Sequence, residues 1–135
     1  NHVWDQKEIM EDIFYEALQL SWESPSNCLS QCTNMCWWSN KGDSIDSSLM
    51  LKIDLTTTKN PMLHFDLWHD IEEGWDYGYI SVSSDQGKSW RTLETLGTTT
   101  FNPVGASYGY GYSGQSDWIS HTVPLADFIS KEIQF

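Results

Sequence analysis

After residue 47 the chain alternates hydrophobic and polar residues with a period of two. In residues 48–57, SLMLKIDLTT, four aliphatic side chains share one face: Leu49, Leu51, Ile53 and Leu55. Similar runs occur at 62–69, 77–84, 118–125 and 132–135. Successive side chains of a strand point to opposite faces, so each run predicts a strand with one buried and one solvated face. Together they predict an all-β fold, an antiparallel, jelly-roll-like β-sandwich with long loops.

A helical pattern precedes these strands. In residues 5–18, DQKEIMEDIFYEAL, hydrophobic residues recur four positions apart, and Asp5 with Glu8 has the spacing of a capping box. This pattern predicts a short N-terminal helix. In an alternative interpretation the helix ends near Asp12, and residues 14–22, FYEALQLSW, form a strand.

The composition divides the chain into two parts. Beyond Trp22 it becomes rich in Ser, Asn, Cys and Pro, which is typical of an irregular loop. We therefore predict that residues 1–36 form a helical and loop segment that packs on the sandwich, and that residues 37–135 form the sandwich itself.

Charge and aromatic content exclude several classes of protein. A formal net charge of −12, with seven Lys and Arg, repels phosphate backbones and argues against nucleic-acid binding. Eight Trp, six Tyr and five Phe are too many for a disordered acidic segment. Since no apolar run approaches the roughly 20 residues that cross a bilayer, we expect no membrane span. The first residues do not have the pattern of a signal peptide, but a mature secreted protein would start in the same way.

Three cysteines lie at equal intervals in CLSQCTNMC: Cys28, Cys32 and Cys36. A structural zinc site would need a fourth ligand and the usual C-x2-C spacing, and the stretch has neither. We favour one local disulfide and one spare thiol, as in exported loops, and leave open which cysteines pair.

The stretch SSDQGKSW contains an Asp-box pattern, S-x-D-x-G-x-S-W, formed by Ser83, Asp85, Gly87, Ser89 and Trp90. In such a turn the Asp carboxylate accepts backbone N–H bonds, Gly takes a positive φ and Trp packs back over the hairpin. We interpret these residues as a structural clip rather than a catalytic site, because Asp residues in turns usually satisfy their own backbone.

The preceding stretch, IEEGWDYGY, is rich in carboxylates. If Ile80 and Val82 face the core, the alternation also turns Asp76 inward, where a bare carboxylate is costly. We predict a calcium ion near Asp76, with Glu72 and Glu73 among its neighbours, since calcium takes several oxygen ligands. The competing interpretation is a solvated acidic loop.

A long loop, residues 98–117, contains three tyrosines that alternate with glycine: Tyr108, Tyr110 and Tyr112. With Trp68 they form a candidate platform on which sugar rings could stack. The competing interpretation is that their rings pack the loop onto the sheet, which is the commoner use of buried aromatic area.

Catalytic and zinc-binding patterns are weak. The zinc-protease signature H-E-x-x-H is absent. His64 and Asp66 share a strand face without a visible third ligand, and His121 falls on the hydrophobic side of its strand, where a hydrogen-bonded core histidine is expected. Hydrolases of the two-carboxylate type hold the pair across a cleft, which neighbours on one loop do not supply.

The blocks IEEGWDYGY, SSDQGKSW and YGYGYSG, in this order and spacing, resemble a known module. It is the non-catalytic, MAM-like β-sandwich module of immune inhibitor A-type secreted metallopeptidases, and the resemblance covers residues 37–135. The cysteines are not part of it. The family's module continues with further strands, so the resemblance implies that other domains or a companion chain complete the sheet.

Three functional hypotheses follow. The leading one is a non-catalytic, secreted module that binds or positions protein partners within a protease-related protein. The alternative is a carbohydrate-binding sandwich that uses exposed Trp and Tyr to bind glycans. The weakest is a stand-alone hydrolase based on the clustered carboxylates.

Overall fold

The computed structural model describes residues 14–18, 21–23, 36–129 and 131–135. Within these ranges the chain consists of antiparallel strands, connecting loops and one short 3-10 helix. The chain divides into two compact units, residues 1–52 and 53–135, here called unit 1 and unit 2. Each is described separately.

In the part of unit 1 that the structure describes, the strands form two antiparallel pairs. Its strands are β1 (Phe14–Leu18), β2 (Ser21–Glu23), β3 (Cys36–Trp38) and most of β4 (Ser48–Asp54). β1 pairs with β4, so that Phe14 lies opposite Lys52 and Leu18 opposite Ser48. β2 pairs with β3, with Trp22 opposite Trp37.

Unit 2 contains the longest strands. They are β5 (Met62–Asp70), β6 (Ser81–Val82), β7 (Arg91–Thr92), β8 (Gln115–Pro124) and β9 (Glu132–Gln134), with the 3-10 helix at Ala126–Phe128. β5 pairs with β8 and β6 with β7, both antiparallel. Two backbone hydrogen bonds join Ser83, just after β6, to Gln134 in β9.

The β5–β8 pair is a two-stranded ribbon with one buried and one solvated face. Along β5 the exposure alternates at every residue, as expected for a strand with one face on a core. A bulge interrupts the register between Leu67 and His69, where β8 has one residue more than β5. As a result Asp117 and Trp118 are both exposed although they are neighbours in sequence.

A single cluster of buried side chains forms the described core of unit 2. Its members come from β6, β8, β9, the 3-10 helix and the loops: Leu55, Val82, Leu93, Val123, Leu125, Phe128 and Ile133. Ile53, Leu63, Phe65, Ile80 and Phe135 pack against it. Burying each large aliphatic side chain contributes about 1.5–3 kcal/mol, so this cluster is the main source of stability in the unit.

The prediction of an all-β, antiparallel fold is confirmed, and the predicted strands 48–57, 62–69, 118–125 and 132–135 correspond to β4, β5, β8 and β9. The strand predicted at 77–84 is shorter in the structure. Only the two residues of β6 form a strand there, and Gly78 and Ser83 on either side form isolated bridges. Neither β3 nor β7 was predicted. The jelly-roll-like sandwich stays a prediction.

The predicted N-terminal helix is wrong where the structure describes it. Residues 14–18 form β1, as in the alternative interpretation. A spacing of four fits either element in a short segment, and the aromatic Phe14 and Tyr15 favour a strand. Residues 5–13 lie outside the described residues, as does most of the predicted segment 1–36.

Candidate functional site

The Asp-box residues form a closed network of hydrogen bonds around the Asp85 carboxylate. Its Oδ1 accepts from the Ser83 hydroxyl at 2.8 Å and from the Ser89 amide at 2.9 Å. Its Oδ2 accepts from the Ser89 hydroxyl at 2.5 Å. The Ser83 hydroxyl also accepts the Gly87 amide at 2.8 Å, so one carboxylate and one hydroxyl hold the whole turn.

The backbone and the tryptophan complete this turn. Gln86 and Gly87 have φ values of 64° and 80°, in the left-handed region that glycine tolerates best. Trp90 lies back over the turn, and its indole N–H donates to the Gly87 carbonyl at 3.1 Å. The structural-clip role itself stays a prediction, and this geometry is what it rests on.

The same network controls the charge of Asp85. Hydrogen bonds from the Ser89 hydroxyl, the Ser89 amide and the Ser83 hydroxyl, in that order, lower the pKa of Asp85 from 3.8 to about 2. All three groups donate to the ionised carboxylate and therefore favour it. Asp85 is thus an acceptor held in its charged form, which does not suit a proton donor near neutral pH.

The three acidic residues of the calcium prediction lie together in one turn, residues 71–76. Glu72, Glu73 and Asp76 are all exposed. The alternation argument that turned Asp76 inward is wrong, because the chain bends there: the Trp75 and Asp76 amides both donate to the Glu72 carbonyl. Residues 77–81 are all half-buried, and Val82 and Ser83 are both buried, so exposure does not alternate along this stretch either.

Ser113, in the long loop, holds this acidic turn in place. Its hydroxyl accepts the Gly74 amide at 2.9 Å and donates to the Asp76 carbonyl at 3.0 Å. A polar groove of about 500 Å³ lies beside it, lined by Ile71, Glu73, Ser113, Gly114 and Gln115. The sequence analysis did not single out Ser113, because its partners lie about 40 residues away in the chain.

Among the residues that the structure describes, no three His, Cys, Asp or Glu side chains are grouped to hold a metal ion. His64 instead contacts the Thr122 hydroxyl at 3.0 Å, and the Asp66 carboxylate accepts from the Ser120 hydroxyl. Calcium is also bound by carbonyl oxygens, so we retain the ion at residues 72–76 as a proposal.

The three tyrosines of the candidate platform lie in different environments. Tyr108 is 88% exposed, Tyr110 is 37% exposed, and Tyr112 is only 3% exposed. Tyr112 therefore cannot present its ring to a ligand, and its inclusion in the platform was wrong. Gly78 pairs with Tyr112 through two backbone hydrogen bonds, which draws that residue inside.

Tyr108 belongs to a different aromatic group. Its ring contacts Tyr79, with centroids 5.8 Å apart, and Tyr79 stacks on Tyr77 at 6.1 Å. The Tyr79 hydroxyl accepts the Tyr108 amide, and the Tyr77 hydroxyl donates to the Phe101 carbonyl. The loop thus packs on residues 77–79 while Tyr108 and Phe101 stay exposed.

His121 is buried within unit 2 among aromatic rings. It stacks on Phe65 at 4.7 Å and meets the edge of Tyr112 at 5.6 Å. Its buried Nδ1 has no hydrogen-bond partner among the described residues, contrary to the expectation of a satisfied core histidine. Burial lowers the pKa of His121, an effect that Asp66 opposes and that His69 reinforces.

Trp68 lies on the solvated face of the β5–β8 ribbon. The register places it opposite the bulge that contains Asp117 and Trp118. The sequence contained no signal for this pairing, since register depends on contacts between distant segments.

Of the three cysteines, Cys36 lies in β3, opposite Glu23. Cys28 and Cys32 lie outside the described residues. The disulfide and the spare thiol therefore stay predictions.

Comparison with known proteins gives one family match. The model of the family described as "Immune inhibitor A-like, MAM domain" matches residues 25–135. No curated protein and no solved structure matches this chain significantly. The part of the chain that the structure describes contains no helix with the length and hydrophobicity of a membrane crossing.

The Asp85 network predicts a specific acid sensitivity. Because the pKa of Asp85 is lowered in the folded state, its stabilising effect is complete above about pH 4 and is lost as the pH falls toward 2. We expect Asp85→Asn to lower the melting temperature at pH 7 and to flatten its fall between pH 4 and 2. Glu94→Gln, which removes an exposed charge elsewhere, is the control. An unchanged acid profile in Asp85→Asn would contradict the role of the network.

His121 predicts a second pH dependence. Because the pKa of His121 is lowered in the folded state, the unfolded chain takes up a proton below about pH 6.5 before the folded chain does. The free energy of unfolding therefore decreases as the pH is lowered through this range. His121→Phe keeps a ring against Phe65 and removes the unpartnered nitrogen. We expect it to raise stability by about 1 kcal/mol in urea melts and to abolish this pH dependence, whereas His64→Gln should retain it. If the stability of both variants depended on pH in the same way, the effect attributed to burial of His121 would be contradicted.

Calcium binding at residues 72–76 is tested by thermal melts with chelator and with millimolar calcium. A ligand that binds the folded state raises stability by about 2.7 kcal/mol at a hundred times its Kd. We expect calcium to raise the melting temperature, Asp76→Asn to remove the shift and Glu94→Gln to retain it. Superimposable melts of the unmodified chain would eliminate the calcium proposal.

Proposed function

Because the chain belongs to the family of immune inhibitor A-like MAM domains, we propose that it is a secreted, non-catalytic module that positions a protease on its partners. The resemblance predicted from the sequence is confirmed, and the match begins twelve residues earlier than expected. The family assignment is the observation that carries this proposal. Its partners would be the other domains of the same protein, or a companion chain, together with protein ligands.

The exposed aromatic side chains of unit 2 support a binding role. Phe101 and Trp75 are more than half exposed, and Tyr108 almost completely so. Tyr and Trp are enriched among the residues that dominate binding energy at protein interfaces. The loop that carries Phe101 and Tyr108 is anchored by hydrogen bonds to Tyr77 and Tyr79, so its exposed rings are presented on an ordered support.

The arrangement of the acidic residues favours a non-catalytic role. Asp85 is occupied by its own turn, and Glu72, Glu73 and Asp76 are exposed neighbours. A pair of carboxylates with separated pKa values across a cleft would support hydrolysis, and these residues do not form one.

Glycan binding is the second candidate. The exposed ring of Tyr108 beside Tyr79 supports it, because a flat aromatic face suits the apolar face of a sugar. A glycan array probed with the unmodified chain and with Tyr108→Ser separates the two functions. Specific glycan binding that the substitution removes would favour this candidate over protein positioning.

The test of the leading proposal uses the natural polypeptide that contains this module. Phe101→Ser with Tyr108→Ser should leave hydrolysis of a short peptide unchanged and should slow hydrolysis of a large protein substrate by about tenfold, equivalent to 1.4 kcal/mol of lost binding. Leu96→Ser, at another exposed hydrophobic residue, is the control.

Equal slowing of both substrates by the double variant would contradict a positioning role. So would proteolysis by the isolated 135-residue chain. The fraction of the polypeptide recovered from the culture medium tests secretion in the same experiment.

A further inference from the structure

The solvated face of the β5–β8 ribbon combines two tryptophans with three carboxylates. Trp68 and Trp118 are 36% and 39% exposed. Asp66 and Asp70 flank Trp68 on β5, two residues away on either side, and Asp117 precedes Trp118 in the bulge. We call these five residues the tryptophan face. All of them lie in unit 2.

The bulge is what creates this arrangement. In a regular ribbon Asp117 and Trp118 would point to opposite faces. The extra residue in β8 leaves both exposed, opposite Trp68. Bulges commonly re-aim side chains in this way at functional positions.

Two of the carboxylates are held in place by neutral donors on β8. The Gln115 amide donates to Asp70 Oδ1 at 2.7 Å, and the Ser120 hydroxyl donates to Asp66 Oδ1 at 2.5 Å. These bonds fix the position of each carboxylate without neutralising its charge. Each bond engages only one oxygen of its carboxylate, so the second oxygen can still accept hydrogen bonds from a ligand.

The charge on this ribbon has one sign. Neither β5 nor β8 contains Lys or Arg, while the tryptophan face contains three Asp residues. An anionic ligand, such as a phosphate, would be repelled. A cation is attracted both by the carboxylates and by the faces of the tryptophan rings, for which Arg and Lys are the usual partners.

We propose that the tryptophan face binds an extended, Lys- or Arg-bearing segment of a partner protein. Its cationic side chains lie over Trp68 and Trp118 and pair with Asp66, Asp70 and Asp117. This inference rests on the proposed function, since it names the chemistry of the partner that the module would bind. Charge complementarity, rather than hydrophobic area, selects that partner and sets the rate of encounter.

The direct test is fluorescence anisotropy with a labelled peptide of five Arg-Ser repeats and a matched peptide of five Gln-Ser repeats. The intact chain should bind only the Arg-Ser peptide, less tightly at higher salt. Trp118→Ala should weaken binding by about tenfold and Asp117→Asn by about threefold, in the range of single cation–π and charge contacts. Melting curves establish that each variant folds.

Two controls separate this face from general attraction to an acidic protein. Leu96→Ala removes an exposed hydrophobic side chain elsewhere, and Glu94→Gln removes an exposed charge elsewhere; each should change affinity less than twofold. Similar losses in all four variants, or equal binding of the Gln-Ser peptide, would overturn the proposal.

A neutral β-glucan oligosaccharide that binds in a Trp118-dependent manner, without binding of the Arg-Ser peptide, would also overturn it and assign the face to sugars. Because Phe101 and Tyr108 are intact in all these variants, failure here is distinguishable from failure of the positioning role.

Discussion

The hydrogen bond between Ser83 and Asp85 is the interaction on which the organisation of unit 2 depends. Ser83 is 1% exposed and belongs to two structures at once. Its hydroxyl is bonded within the Asp85 turn, and its backbone N–H and C=O both pair with Gln134 in β9. The neighbouring Ile133 is among the most deeply buried core residues. The turn, β9 and the core thus meet at one buried serine.

Local chemistry explains what could be predicted from the sequence. The alternation in β5 and in residues 118–124 of β8 is regular, so it identified both strands and their buried faces. The Asp-box pattern indicated a turn because its residues contact one another within seven positions. Nonlocal features were beyond such reasoning: the β5–β8 register, the bulge at Asp117, and the pairing of Gly78 with Tyr112 that buries this tyrosine.

Two errors have the same physical origin. The alternation argument was extended to Asp76 across a turn, where hydrogen bonds to the Glu72 carbonyl change the direction of the chain. Hydrophobic spacing was used to predict a helix over residues 14–18, where pairing with β4 forms a strand instead. In both cases a backbone hydrogen bond that the sequence does not specify decided the conformation.

The acidic residues of unit 2 differ in role because they differ in surroundings. Asp85 is engaged by the hydroxyls and amide of its own turn, whereas Asp66 and Asp70 are each held by a single neutral donor on an exposed sheet face. The first arrangement satisfies the carboxylate within its own turn, and the second leaves charge on an exposed face, where we propose that a partner binds. Amide hydrogen exchange tests the central claim, the coupling of the Asp85 turn to β9, most directly. Replacing Asp85 by Ala should speed exchange of the Gln134 amide together with that of Ser89, while Glu94→Gln leaves both unchanged. Faster exchange at Ser89 alone, with full protection retained at Gln134, would contradict the account.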